Sequence, residues 1–150
     1  MNFPIFSIFL IIFLGFSKSD PLTIDVEVRC AFNQLYWCGK MHIFEHNNYP
    51  KPHDIIRSED FCTYDVIKRF HYTDIYLQGD TSPMYEIQYQ LHHNCTPDVF
   101  WRCLNSEEPV EVPKIGDQVI VQNFRYCAQL NIDAYSRGTS EECPHPNGEF

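Results

Sequence analysis

The chain has 150 residues, with 11 Lys and Arg against 20 Asp and Glu, for a net charge of −9. That balance excludes nucleic acid and anionic membrane surfaces as electrostatically driven partners. With 12 Phe, 9 Tyr and 2 Trp and only 21% charged residues, the composition supports a packed core rather than disorder, and the length suits one domain of ordinary size.

From Ile5 to Phe16 the chain is almost unbroken Ile, Phe and Leu, followed by Ser17-Lys18-Ser19-Asp20. Small residues three and one positions before a cut after Ser19 predict a signal peptide over residues 1–19. The 12-residue apolar stretch falls short of the roughly 20 residues that span a bilayer, so a secreted, extracellular protein with no transmembrane anchor is expected.

Thr23 to Cys30 alternates strictly, with Ile24, Val26, Val28 and Cys30 on one face and charges on the other, which predicts a half-buried strand. The same period of two recurs from Tyr85 to His92 and from Phe124 to Ile132. Shorter strand segments are Lys40 to His46, Ile55 to Tyr64, Arg69 to Tyr72 and Pro109 to Val112, separated by stretches rich in Asn, Pro, Asp and Gly. About seven short strands with no amphipathic helix make an all-β domain over residues 20–133. Residues 134–150 lack apolar periodicity and read as a C-terminal tail pinned through Cys143.

Export turns the seven cysteines, Cys30, Cys38, Cys62, Cys95, Cys103, Cys127 and Cys143, toward disulfides rather than metal or redox chemistry. No Cys-x-x-Cys occurs, which removes the zinc-knuckle and thioredoxin-like readings. Asn94-Cys95-Thr96 is an N-glycosylation acceptor, so a glycan on Asn94 is expected.

Together, the alternating strand ending at Cys30, the His93-Asn94-Cys95 triplet, Cys103 eight residues on, Val112-Pro113-Lys114, and Cys143 in an acidic tail resemble the nematode transthyretin-like family over roughly residues 23–143. The resemblance implies a transthyretin-like sandwich of two antiparallel sheets, with extracellular ligand carriage or bridging between surfaces as its role. The chain departs from the family at Lys68, which stands where a turn glycine is common; that turn must differ, since a glycine supplying positive φ is not freely replaced. Cys38, Cys62 and Cys127 also lie outside the family's four-cysteine pattern, so the chain reads as a divergent member.

The resemblance further implies disulfides Cys95–Cys103 and Cys30–Cys143, and neighbouring antiparallel strands at 40–46 and 55–64. If His46 faces Asp54, the same register sets Cys38 opposite Cys62, where Cβ atoms about 4.5–5.5 Å apart approach the roughly 3.5–4.5 Å of a disulfide. Cys127 is then left over, on the strand face of Arg125 and Gln129 and opposite Tyr126, Ala128 and Leu130. It is expected to be accessible, as a free thiol or a link to a second chain in a dimer.

Enzymatic readings fare less well. His42-Ile43-Phe44-Glu45-His46 matches H-x-x-E-H, but Gly39 before it and Asn47-Asn48-Tyr49-Pro50 after it leave no room for the helix that such a zinc site needs. A strand with solvated histidines is expected there, with Glu45 on the face opposite His42 and His46. Tyr135-Ser136-Arg137-Gly138-Thr139 is similar to the Tyr-Arg-Gly-Ser ending of transthyretin relatives that hydrolyse hydroxyisourate. Here a serine interrupts it and the required histidines are missing from residues 23–30 and 115–134. Neighbouring His92 and His93 point to opposite faces of a strand and do not readily chelate one ion. No Gly-x-Ser-x-Gly occurs either, so no catalytic residue, metal or cofactor is expected.

The remaining readings are a binding or bridging protein and a structural matrix component. The first rests on aromatics in expected loops, Tyr36 and Trp37 after the first strand and Phe100 and Trp101 between Cys95 and Cys103; such residues are enriched at interface hot spots. Its partner would be an extracellular protein or a hydrophobic small molecule such as a lipid. Absence of low-complexity repeats weakens the matrix reading, and a secreted hydrolase ranks below both.

Overall fold

The computed structural model describes residues 22–31, 36–48, 51–77, 82–113, 126–140 and 142–147. Among these there is no helix, and eight strands follow one another: β1 (Leu22–Arg29), β2 (Trp37–Glu45), β3 (Asp54–Thr63), β4 (Ile67–Ile75), β5 (Met84–His93), β6 (Arg102–Asn105), β7 (Val110–Pro113) and β8 (Tyr126–Asp133). They form a three-stranded sheet, β4-β1-β8, and a five-stranded sheet, β3-β2-β5-β6, with β7 also paired to β5. The expected leader and its cleavage site lie outside the described residues.

Alternation explains how the sheets meet. In β1, Ile24, Val26 and Val28 are at most 2% exposed, while Asp25 and Glu27 lie on the outer side. Inward from the large sheet come Met41, Ile43, Ile87 and Leu91, and from β8 Ala128, Leu130 and Ile132. Full burial of a Val, Leu or Ile side chain stabilises by about 1.5–3 kcal/mol, so this double layer is the main source of cohesion. Gly39 is required by close approach: a Cβ there would lie 2.7 Å from Phe61 and 3.1 Å from Leu91.

The sequence expected about seven strands in two antiparallel sheets; the small sheet is instead mixed, because β1 pairs β8 in parallel from Leu22↔Tyr126 to Arg29↔Asp133. Periodicity within a strand carries no information about its neighbour's direction. The additional strand, β6, has only four residues, too few for a period to show. Lys68 sits within β4, and the positive-φ residues among those described are Asp74, Val99, Ser136 and Gly138, so the Lys68 position makes no demand for glycine. Asp74 accompanies the bulge where β4 slips against β1 between Leu22 and Ile24.

Three disulfides are present, Cys30–Cys95, Cys38–Cys62 and Cys103–Cys143. The pairs implied by the family resemblance, Cys95–Cys103 and Cys30–Cys143, are not formed. The reason is the two-faced sheet: Cys95 is wholly buried toward the core like His93, whereas Cys103 is in register with His92 and, through it, with the exposed Lys40, on the outer face. Cys30, at the end of β1, meets Cys95 between the sheets and staples them together. Cys143 meets Cys103 outside. Cys38–Cys62 forms at the register expected from the cross-strand reasoning, which holds from Trp37↔Thr63 to Ile43↔Arg57 before a bulge sets Glu45, not His46, opposite Asp54. Six of the seven cysteines are so paired; the side chain of Cys127 lies outside the described residues, and its backbone is in register with Thr23.

The C-terminal tail is a strap. Ala134 N–H donates to the Arg29 carbonyl at 2.8 Å, Ser136 N–H to Cys95 at 3.1 Å, and Thr139 exchanges two 2.9 Å hydrogen bonds with Cys103 along the edge of β6. Beyond Cys143 the chain crosses the outer face of the large sheet, where His145 packs edge-on against His42 with ring centroids 5.2 Å apart.

Candidate interaction surface

The strand registers gather the exposed aromatics at one end of the large sheet. Trp37 faces Thr63 across β2 and β3, and Gly39 faces His93 across β2 and β5. Tyr36, Tyr64 and the loop 96–101 therefore share that end, with the Tyr36 and Tyr64 rings 4.7 Å apart. Tyr64 and Phe100 are 71% and 70% exposed, and Val99 and Trp101 are exposed beside them. At the opposite end Tyr76 is the exposed aromatic among the described residues.

Trp37, expected as a partner contact, is instead 1% exposed. Alternation turns it inward from Tyr36, its ring meets Phe61 edge-on at 5.2 Å, and its Nε1–H donates to the Asp65 carbonyl at 2.9 Å. Tyr36, Phe100 and Trp101 are all at the surface.

The loop 96–101 is held from within. Thr96 donates its hydroxyl to the Phe100 carbonyl at 3.0 Å, Asp98 accepts the Phe100 N–H at 3.3 Å, and Val99 N–H donates to the Thr96 carbonyl at 3.1 Å. The Thr96 hydroxyl beside Asp98 is the largest cause holding its carboxyl below the usual range, and the Phe100 N–H and Arg102 add to it. Asp98 also pairs with Arg102 at 3.3 Å. Val99 is left at φ 54°, a left-handed conformation costly for a β-branched residue. Trp101 packs on His92, ring centroids 4.7 Å apart.

A family model described as Caenorhabditis elegans protein of unknown function (DUF870) matches residues 25–146. The chain belongs to that family. No curated protein and no solved structure matches the chain. The span that defines it as a DUF870 member covers both sheets, all six paired cysteines, the aromatic loop and the strap through His145.

In this DUF870 chain the histidines are structural in their contacts. His42 is buried on the outer face of β2, where its Nδ1 lies 2.8 Å from the Ser58 hydroxyl, so it is not the solvated residue expected; Glu45 lies on the core side, 1% exposed. Burial, then the neighbouring His145 and Lys40, lowers the pKa of His42. His46 stacks on His53 at 4.7 Å. His92 and His93 divide between the two faces, and no group of three or more His, Cys, Asp or Glu able to hold a metal occurs among the described residues. His93 is wholly buried; its Nδ1 accepts the Cys95 N–H at 3.2 Å, and its Nε2 faces the Arg137 backbone without an ordinary hydrogen bond. Burial pushes its pKa down to about 4. The Tyr135 to Thr139 segment is the turn of the strap, with Ser136 at φ 54° and Gly138 at φ 95°.

The outer face of the small sheet is charged. Asp25 pairs with His71 at 2.5 Å and Glu27 with Arg69 at 2.9 Å, and Gln129 and Asn131 complete a shallow depression of about 320 Å³. These are solvated pairs of small energetic weight. No helix among the described residues is long and apolar enough to cross a membrane.

Proposed function

We propose that this DUF870 protein is a secreted extracellular binding or bridging module that meets a protein partner through Tyr36, Tyr64, Val99, Phe100 and Trp101. The observation that carries the reading is the loop 96–101: two large aromatic side chains are held in water by a backbone braced at Thr96 and Asp98. Aromatics on a rigid support lose little entropy on binding, and Trp and Tyr dominate interface hot spots. Three disulfides suit an oxidising compartment, and the leader-like residues 1–19 supply the route. A remote relation to transthyretin-like proteins rests on the two-sheet architecture and not on the disulfides, two of which are paired otherwise. Cys127, the seventh cysteine, is the residue through which a second copy would be linked.

The test is affinity capture from extracellular fluid with the wild-type protein, F100A/W101A and Y76A, followed by binding measurements with the purified captured protein. Rim truncation is expected to weaken binding at least tenfold, corresponding to about 1.4 kcal/mol or more, while Y76A at the other end binds as wild type. Equal binding by all three proteins overturns the reading.

A further inference from the structure

The tripeptide Asn94-Cys95-Thr96 is bound into the fold at nearly every polar atom. Asn94 Oδ1 accepts the Cys38 N–H at 2.7 Å, and Asn94 N–H donates to the Cys38 carbonyl at 3.2 Å. Cys95 is buried in its disulfide with Cys30, and Thr96 is 0% exposed with its hydroxyl given to the Phe100 carbonyl. Asn94 Nδ2 differs: it makes no hydrogen bond within the described residues, it is not among the buried unpaired atoms, and Asn94 is only partly buried. A sugar on Nδ2 therefore has a way out of the folded protein. The threonine hydroxyl by which a transferase recognises the acceptor does not.

We propose that Asn94 accepts its glycan only before the Cys30–Cys95 disulfide closes, so that two covalent events compete for one tripeptide and their order sets the glycoform. In the first, the Asn94 carboxamide nitrogen attacks the anomeric carbon of a lipid-pyrophosphate-linked oligosaccharide. The C–N bond forms, the anomeric C–O bond breaks, the pyrophosphate leaves with the electron pair, and the amide proton passes to a base on the transferase. In the second, the Cys30 and Cys95 thiols each lose a proton, and the pair gives two electrons to a disulfide-bearing oxidase of the secretory compartment. The staple joins residues 65 apart in sequence and on different sheets, so it closes only when the sheets meet. That delay is the window for the sugar.

The experiment uses the full chain. In one arm, a purified oligosaccharyl transferase with its lipid-linked donor acts on unglycosylated, oxidised native protein and on the same protein held unfolded and reduced by a phosphine, with N94Q as blank. Transfer to Asn94 is expected to be at least about tenfold greater for the reduced chain, since the native site opens only by local unfolding. In a second arm, Asn94 occupancy in secreting cells is read by mass spectrometry for the wild type, C30S and C143S. C30S is expected to raise occupancy above the wild type and C143S to leave it unchanged. Equal transfer to native and reduced protein, no transfer to either, or a rise with C143S matching that of C30S would overturn the proposal. The cellular arm rests on export, whereas the first arm does not.

Discussion

Two irregular segments flank β6, the loop 96–101 before it and the strap from Ala134 to His145 that docks along it. Both contain a non-glycine residue at φ 54°, Val99 in the loop and Ser136 in the strap, and both are fixed by short backbone hydrogen bonds. They differ in what the fixed backbone presents. The strap turns its bonds onto the protein, covering Cys103 and His42; the loop turns Phe100 and Trp101 toward water. Order alone therefore does not mark a functional surface. Order combined with unburied aromatic area is the feature on which the proposed reading rests, because the entropy of fixing that backbone is already lost before any partner arrives.

The largest effect expected from this contrast lies where both segments meet the core. C30A/C95A removes the staple between the sheets and should cost about 2–5 kcal/mol of stability by chemical denaturation. C103A/C143A should release the strap while leaving the sandwich, read as lost amide protection at Thr139 with β1 and β2 still protected. Equal losses from the two pairs would show that the strap is integral to the core.

His93 provides the next effect, through pH. Its pKa is lowered from 6.5 to about 4, so between these values the unfolded chain binds a proton that the folded chain does not. Its stabilising contribution is complete above pH 6.5 and is lost progressively as the pH falls toward 4, by up to ~3 kcal/mol. The depressed His42, His53 and His92 act in the same direction. H93F should flatten this acid slope by about one proton, measured as denaturation midpoints across the window; an unchanged slope would assign it to the other histidines.

Gly138 has φ 95°, and a Cβ there would lie 2.6 Å from the Cys103 carbonyl oxygen. G138A should cost about 1–3 kcal/mol and open the two Thr139–Cys103 hydrogen bonds while sparing the loop. Hydrogen exchange resolved to single amides checks this, and intact protection at Thr139 would contradict it. The smallest effect on stability belongs to the loop itself: F100A should change it by less than about 0.5 kcal/mol, since that side chain is 70% exposed in the free protein. A larger loss on thermal unfolding would mean that Phe100 serves the core instead of a partner.

How much of this was legible in the chain depends on whether the deciding force is local. β1 and β5 follow from period-two alternation at Ile24, Val26 and Val28 and at Tyr85 and Ile87, and the exposure of Phe100 and Trp101 fits a loop outside that period. The inward turn of Trp37 escaped because β2 begins at that residue, so the shift from loop to alternating strand occurs between two adjacent aromatics. A tail held through Cys143 was expected, but its course along β6 was hidden for a related reason: its contacts are backbone bonds to Cys103 and a packed histidine, neither of which needs an apolar period.

By itself the sequence determined the all-β class, the faces of the long strands and the cysteines available for pairing, because side-chain alternation and composition act over a few residues. Only the tertiary structure decided that β8 runs parallel to β1, that Cys95 turns inward to Cys30 while Cys103 turns outward to Cys143, and that Tyr36, Tyr64 and the loop converge at one end. Those outcomes depend on which strand lies beside which, a choice made by the summed packing of two sheets across long chain separations rather than by any single segment.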